Sequence, residues 1–250
     1  MRPAVGVLLM HEERGRSNNF SLTVVILVAL LALPSCLPLG AQEVGYWDLT
    51  NVAPRDRTRQ PRSGRYSGGG VGRGNGGPSE PKGPVRVTLV AVDGSQARSA
   101  RELTYEVKIE NVGDEVIQVP LDPNLADMEP PEPEASYEYT SAGIGLDLAD
   151  DAGPIVVRGL GLYGSAANPG TLKSIAPGEW IRVRAKARLF PGVVTEAERL
   201  DALLRSTGPI PARASFATRR CSFDASNAAE VCTPALPFVT SKAVTASLPQ

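Results

Sequence analysis

Strict alternation of apolar and polar side chains restricts the fold of this 250-residue chain more than any other feature. At 103–110, Leu, Tyr, Val and Ile alternate with Thr, Glu, Lys and Glu; at 181–189, Ile, Val, Ala, Ala and Leu alternate with Arg, Arg, Lys and Arg. A period of two indicates a β-strand with one buried and one solvated face. Further β-rich runs occur at 85–92, 144–148, 155–162, 214–218 and 239–248, with Gly, Pro and Asp turns among them. We therefore predict an all-β protein, an antiparallel β-sandwich of seven or eight short strands.

Two local patterns refine this prediction. The turn-like sequence Asn111–Asp114 separates the 103–110 strand from a β-rich run at 115–119, which predicts a hairpin. Thr195 and Glu198 form a capping box before an apolar stripe of leucines, and Gly208 with Pro209 ends the segment. This arrangement predicts one short helix.

The polar side of the 181–189 strand is entirely cationic. It consists of Arg182, Arg184, Lys186 and Arg188. Because the apolar side of the same strand is buried, these four residues must face solvent or an acidic partner. They are candidate binding residues.

The N-terminal region has the features of a secretory leader. Arg14 and Arg16 precede an uncharged apolar run that begins at Phe20 and is broken at Pro34, which is typical of a signal peptide. A small residue before Gln42 predicts cleavage after position 41. The sequence Leu-Pro-Ser-Cys ending at Cys36 also resembles a lipobox, so a leader ending at 35 and a lipidated Cys36 is the alternative. A third alternative is an uncleaved span over 20–41, which the prolines disfavour. Each of these alternatives predicts that the protein is exported to the periplasm or the exterior, either free or anchored to the membrane.

Residues 42–83 are predicted to be a disordered linker. Between 51 and 85 the chain has few large apolar residues and is rich in Gly, Pro, Ser and Arg, so it cannot bury enough surface to offset the entropy of ordering. Residues 51–85 carry seven basic residues against two acidic ones, whereas residues 84–250, the predicted single domain, carry a net negative charge. The stretch 43–49 before it is either a docking peptide or without a role. Five arginines of the linker are candidate contacts to an anionic envelope component: Arg55, Arg57, Arg59, Arg62 and Arg65.

Histidine and cysteine content argues against common catalytic mechanisms. The only histidine is His11, in the leader, so the exported chain lacks the usual catalytic base and the commonest zinc ligand. Cys221 and Cys232 remain as an even pair in an oxidising compartment and are predicted to form a disulfide. Two cysteines without a histidine supply only two of the four ligands of a structural zinc site. We expect no catalytic residue, no metal and no cofactor.

Three further motifs are better explained by structure than by chemistry. Gly159–Gly164 fits the dinucleotide fingerprint, but no helix can follow it, so the glycines indicate a bulge or a tight corner. Asp147, Asp150 and Asp151 lack EF-hand spacing and indicate a solvated turn. The proline-rich acidic segment 122–134, followed by Tyr137 and Tyr139, is either a protruding ridge for a basic partner or a soluble insertion.

The strand and turn at 103–117, followed later by a Pro-Gly-Glu turn and strand at 175–183, resemble bacterial immunoglobulin-like domains. Domains of the CARDB type and of the BsuPI-type proteinase-inhibitor family share this pattern, which covers roughly half of the predicted body. The resemblance implies an immunoglobulin-like sandwich and assigns no functional residue.

The function predicted from the sequence is therefore a non-enzymatic binding or structural module of the cell envelope. Its partner would be an unidentified protein or an anionic envelope component. We expect no binding to nucleic acid, and we expect contact with a membrane only through the leader or a lipid anchor. One alternative is a secreted proteinase inhibitor that presents the acidic loop or the cysteine loop. The other is an enzyme that uses carboxylates alone.

Overall fold

A computed structural model of the chain describes residues 41–52, 83–132, 134–191, 196–206 and 208–246. Nearly all of the predicted leader, Cys36, the five linker arginines and Thr195 lie outside these residues. The first strands are β1 (Gln42–Asp48), β2 (Val85–Asp93), β3 (Glu102–Asn111), β4 (Ile117–Pro120), β5 (Tyr137–Asp150) and β6 (Gly153–Gly164). They are followed by β7 (Leu172–Ile175), β8 (Glu179–Pro191), helix α1 (Ala197–Arg205), β9 (Ile210–Asp224), β10 (Ala229–Thr240) and β11 (Val244–Ala246).

The strands form one large sheet that bends into two layers. Its order is β10-β9-β5-β6-β8-β3-β2, with β1 beside β8 and β11 beside β9, while β4 and β7 make a separate pair. Among the described strand pairs only β1–β8 is parallel. The first half of β8 pairs with β1, and its last residues pair with β6, so β8 links the two layers. The prediction of an all-β, sandwich-like fold is confirmed.

The alternation in the sequence determines which side chains enter the core. Leu103, Tyr105, Val107 and Ile109 are buried on β3, and the apolar residues of β8 are buried beside them. They meet buried side chains of β5 and β9 from the other layer. The hydroxyl of Tyr105 donates a hydrogen bond to the peptide oxygen of Ile144 at 2.8 Å, which joins the layers, and burial raises the pKa of this tyrosine.

The prediction of a disordered linker starting at residue 42 is wrong for its first residues. Gln42–Asp48 forms strand β1 in parallel register with Glu179–Arg184 of β8. Its stability comes from apolar side chains that pack against the core, which are Val44, Trp47, Leu49 and Val52. The stretch therefore has a structural role, since it completes the sheet. Residues 53–82 lie outside the described part.

The predicted hairpin at 103–119 is also wrong, because β3 and β4 lie in different sheets. β3 pairs with β2 and β8, whereas β4 pairs with β7. The buried side chain of Asn111 fixes this change of sheet: its Nδ2 donates to the peptide oxygens of Glu115 at 2.7 Å and Ile175 at 2.8 Å. One amide thus satisfies backbone acceptors from two segments that the alternation alone cannot bring together.

The helix and the glycine motif agree in part with prediction. Helix α1 starts at Ala197 after Glu196, which makes no capping hydrogen bond with its side chain. Thr195 of the predicted capping box lies outside the described residues. Leu200 and Leu204 are buried as predicted. Gly159 lies at a register irregularity between β5 and β6, where an added Cβ would come within 2.0 Å of the Ile144 oxygen, so a bulge requires glycine there.

The turn predicted at Asp147, Asp150 and Asp151 is only partly correct: Asp147 and Asp150 lie on strand β5, where they pair with Val156 and Gly153 of β6, and only Asp151 lies in the turn between the two strands. The carboxylate of Asp150 accepts hydrogen bonds from Arg199 of α1, which hold its pKa below the ordinary value. In the described residues no helix is both long enough and apolar enough to cross a bilayer.

Candidate functional site

The outward surface of β1, β8 and β3 is the candidate site, and we call it the charged face. The polar residues of the two alternating sequence segments meet here, because β8 and β3 pair in antiparallel register over nine consecutive residue pairs, from Glu102↔Arg188 to Glu110↔Trp180. The four cations predicted as binding residues lie on this face with 36% to 43% of each side chain exposed.

Each of these four cations has a carboxylate partner within the chain. Arg182 bridges two strands, since its Nε lies 3.0 Å from Glu43 of β1 and its Nη1 lies 3.2 Å from Glu106 of β3. The other pairs are Arg184 with Asp48 at 3.8 Å, Lys186 with Glu102 at 3.5 Å and Arg188 with Glu102 at 3.9 Å. The acidic partner anticipated from the sequence therefore includes the protein's own β1 and β3.

Aromatic rings are interleaved with the cations at one end of the charged face. The ammonium of Lys108 lies 4.6 Å from the ring centroid of Trp180. The guanidinium of Arg182 lies 5.9 Å from the same ring and 5.2 Å from that of Tyr46, which is 46% exposed. These cation–π contacts hold two aromatic side chains at the surface in a defined arrangement, which we call the aromatic stack.

The charged face is bordered by an unpaired strand edge. The peptide N–H of Leu49 donates to the oxygen of Arg184 at 2.8 Å, so alternation along β1 points the backbone groups of Tyr46 and Asp48 away from β8. Within the residues that the structure describes, no strand pairs with this second edge of β1. Tyr46 thus exposes both a ring and backbone hydrogen-bonding groups.

The charges of this surface nearly cancel. The ion pairs on β1, β8, β3 and β2 involve five carboxylates and six cationic groups. A long anionic polymer is attracted by a field of one sign, which such a surface does not produce. The alternating glutamates of β3 were visible in the sequence, but the pairing that sets them opposite the cations of β8 was not.

A second cluster surrounds the disulfide, and we call it the disulfide cluster. Cys221 and Cys232 lie opposite each other on β9 and β10 with Cα atoms 4.1 Å apart and are joined as a disulfide, as predicted. The segment between them is the end of a β-hairpin, not the expected loop. Tyr137, Tyr139, Tyr163, Leu125 and Met128 pack around the pair.

The acidic segment 122–134 is attached to this cluster over its first half. Asp122 exchanges backbone hydrogen bonds with Tyr163 of β6, at 3.1 and 2.6 Å, and Leu125 is buried. The hydroxyl of Tyr139 donates to the carboxylate of Glu230, and burial followed by this hydrogen bond raises the pKa of Tyr139. Leu125 and Met128 therefore cover the disulfide instead of projecting as part of a ridge.

Neither a family model nor a curated protein matches this chain. A solved X-ray structure named Northeast Structural Genomics Consortium target SoR45 aligns with 64% of this chain and 86% of its own chain, at 8% sequence identity and a TM-score of 0.23. At that TM-score the similarity carries no inference about fold or function.

Proposed function

We propose that this protein is an exported, non-enzymatic binding module and that it contacts a protein partner through the charged face. The observation that carries the proposal is the aromatic stack, in which Trp180 and Tyr46 are held at the surface by Lys108 and Arg182. Tryptophan, tyrosine and arginine are the residues that most often dominate the binding energy of protein interfaces. Export is inferred from the leader sequence alone.

The balance of charges favours a protein partner over an anionic polymer at this face. Ion pairs between partly exposed side chains contribute little net stability. A partner whose surface charges alternate in sign can therefore replace these ion pairs with intermolecular ones at a small cost in free energy. Such exchange gives specificity, because a misplaced like charge is strongly penalised. The open edge of β1 adds backbone groups that an extended segment of the partner can pair with.

Site-specific photo-crosslinking tests the proposal. A photoreactive phenylalanine analogue replaces either Tyr46 or Phe238, which is 51% exposed on β10 in the other layer and serves as the matched control. We expect discrete adducts with a protein of the native envelope from position 46 only, and we expect Trp180→Ala to remove them without a change in melting temperature beyond about 2 °C.

Two results would contradict the proposal. The first is that position 46 gives no discrete adduct. The second is that positions 46 and 238 give the same adducts, which indicates unspecific contact. The proteinase-inhibitor alternative stays a prediction, and slowing of a protease panel at micromolar concentration is its test.

A further inference from the structure

Three potential metal ligands converge at the disulfide cluster, independently of the charged face. One ligand atom each from Cys221, Glu230 and Cys232 lies within 4.8 Å of the other two. Cys232 is opposite Cys221 in the hairpin, and Glu230 is two residues before Cys232, so its side chain emerges on the same side of the sheet. In a tetrahedral zinc site with Zn–S near 2.3 Å and Zn–O near 2.1 Å, ligand atoms are about 3.5–3.8 Å apart, which this spacing can reach with small side-chain rotations.

The surroundings of these ligands also suit a metal. Tyr139 donates a hydrogen bond to the carboxylate of Glu230, and the Ser141 Oγ lies 3.9 Å from the Cys221 sulfur. Hydrogen-bonding groups behind the ligands orient them and raise metal affinity in known sites. Cys221 is buried while Cys232 and Glu230 are half-buried, so the cluster is shielded on one side and accessible on the other.

We propose that the reduced form of the β9–β10 hairpin binds one Zn²⁺ through the thiolates of Cys221 and Cys232 and the carboxylate of Glu230. In the oxidised form the two sulfurs are bonded to each other and offer no thiolate. Two thiolates with one carboxylate suit zinc, which accepts both sulfur and oxygen ligands, better than the harder Mg²⁺ or Ca²⁺. A water molecule completes the tetrahedral coordination.

The step that opens the site is a thiol–disulfide exchange with a dithiol reductant. One thiolate of the dithiol attacks a cysteine sulfur, the Cys221–Cys232 bond breaks, and the second thiol of the reductant releases the mixed disulfide. The dithiol is oxidised to its disulfide, and the protein gains two thiols. Each thiol then loses its proton to solvent as the metal binds. The hairpin is thereby cross-linked at the same register in both redox states, by a covalent bond or by a metal ion.

The test uses Co²⁺ as a spectroscopic substitute for Zn²⁺. The purified protein is reduced with a dithiol under argon, freed of reductant by gel filtration and titrated with Co²⁺. We expect one Co²⁺ per chain, with a thiolate-to-cobalt charge-transfer band and the intense visible bands of tetrahedral coordination, all abolished by Zn²⁺. The unreduced protein should show none of these bands.

Substitutions separate the three-ligand site from adventitious thiol binding. Glu230→Gln should weaken Co²⁺ binding at least ~10-fold, on the scale of changes seen when metal-site residues are altered. Glu138→Gln, an exposed carboxylate on β5, is the matched control and should bind like the wild type. Wild-type affinity in Glu230→Gln, equal binding by the unreduced protein, or absence of the charge-transfer band would each overturn the proposal.

Near-ultraviolet circular dichroism follows folding in the same samples. If reduction unfolds the protein, recovery of the native signal on addition of Zn²⁺ supports the proposal, because metal binding to a native site is coupled to folding. An unfolded reduced protein that neither binds the metal nor refolds with it contradicts the proposal.

Discussion

Adjacent aromatic residues of β1 provide a direct test of how this strand contributes to the molecule. Trp47 packs against the core, whereas Tyr46 is 46% exposed on the charged face. Replacing a fully buried tryptophan by alanine costs about 3–5 kcal/mol, so a partly buried one should cost about 2 kcal/mol. For a domain of this size, that corresponds to a fall in melting temperature of about 4–8 °C. Tyr46→Ala leaves the core intact and should change the melting temperature by less than about 2 °C.

The assay is thermal unfolding of both variants beside the wild type, followed by far-ultraviolet circular dichroism at one protein concentration. The two substitutions remove similar aromatic area from neighbouring positions, so any general effect on β1 appears in both. Equal melting temperatures for Trp47→Ala and the wild type would refute the packing of β1 on the core. Equal losses in both variants would refute the assignment of their two faces.

Three further predictions concern the connections between elements. Asn111→Ala leaves two peptide oxygens without their donor and should destabilise the fold by about 2–4 kcal/mol in urea unfolding, whereas a neutral result would show that water replaces the amide. Arg199 lowers the pKa of Asp150, so their interaction stabilises the fold above the unfolded pKa near 3.9 and is lost as pH falls through the lower folded value. Asp150→Asn should therefore melt below the wild type at pH 7, and this difference in melting temperature should disappear in acid. A difference that does not change with pH contradicts the prediction. Gly159→Ala should lower the free energy of unfolding by about 1–3 kcal/mol, because the added Cβ clashes with backbone atoms. Gly161→Ala, whose added Cβ has one contact at 3.6 Å, should leave the free energy of unfolding unchanged. Equal effects in urea unfolding would contradict the need for glycine at the bulge.

The sequence predicted which side chains are buried far better than which strands are neighbours. Period-two alternation defines the two faces of a strand, and Tyr105 and Val183 are buried accordingly. It contains no information on pairing, because any strand with one apolar face can lie beside any other. The hairpin predicted after Asn111 failed for this reason: the amide side chain of that residue, not the turn sequence, directs the chain into the second sheet.

The two omissions at candidate site residues have a related cause. β1 is a single short strand next to a segment rich in Gly, Pro and Arg, so its sequence alone does not separate it from the linker, and its stability depends on contacts with β8 and the core. Carboxylates are common in every sequence, so nothing in the sequence singles out Glu230 as a neighbour of the cysteines. Only the hairpin register brings it to Cys221. The cationic row, by contrast, was located correctly from the sequence, and only its carboxylate partners required the structure.

The position of β1 ahead of residues 53–82 makes the first strand separable from the rest of the fold by a single cut. β1 and β2 lie in the same layer with β8 and β3 between them, about 14 Å apart across the sheet. Cleavage of the chain between 52 and 83 leaves an N-terminal peptide that is bound to the larger fragment by noncovalent contacts, which include its parallel ladder, its apolar contacts and the ion pairs of Glu43 and Asp48 with β8. The pair of fragments is then a two-component complex, in which a synthetic β1 peptide carrying a label or a substitution can exchange with the native strand without any change to the remaining polypeptide.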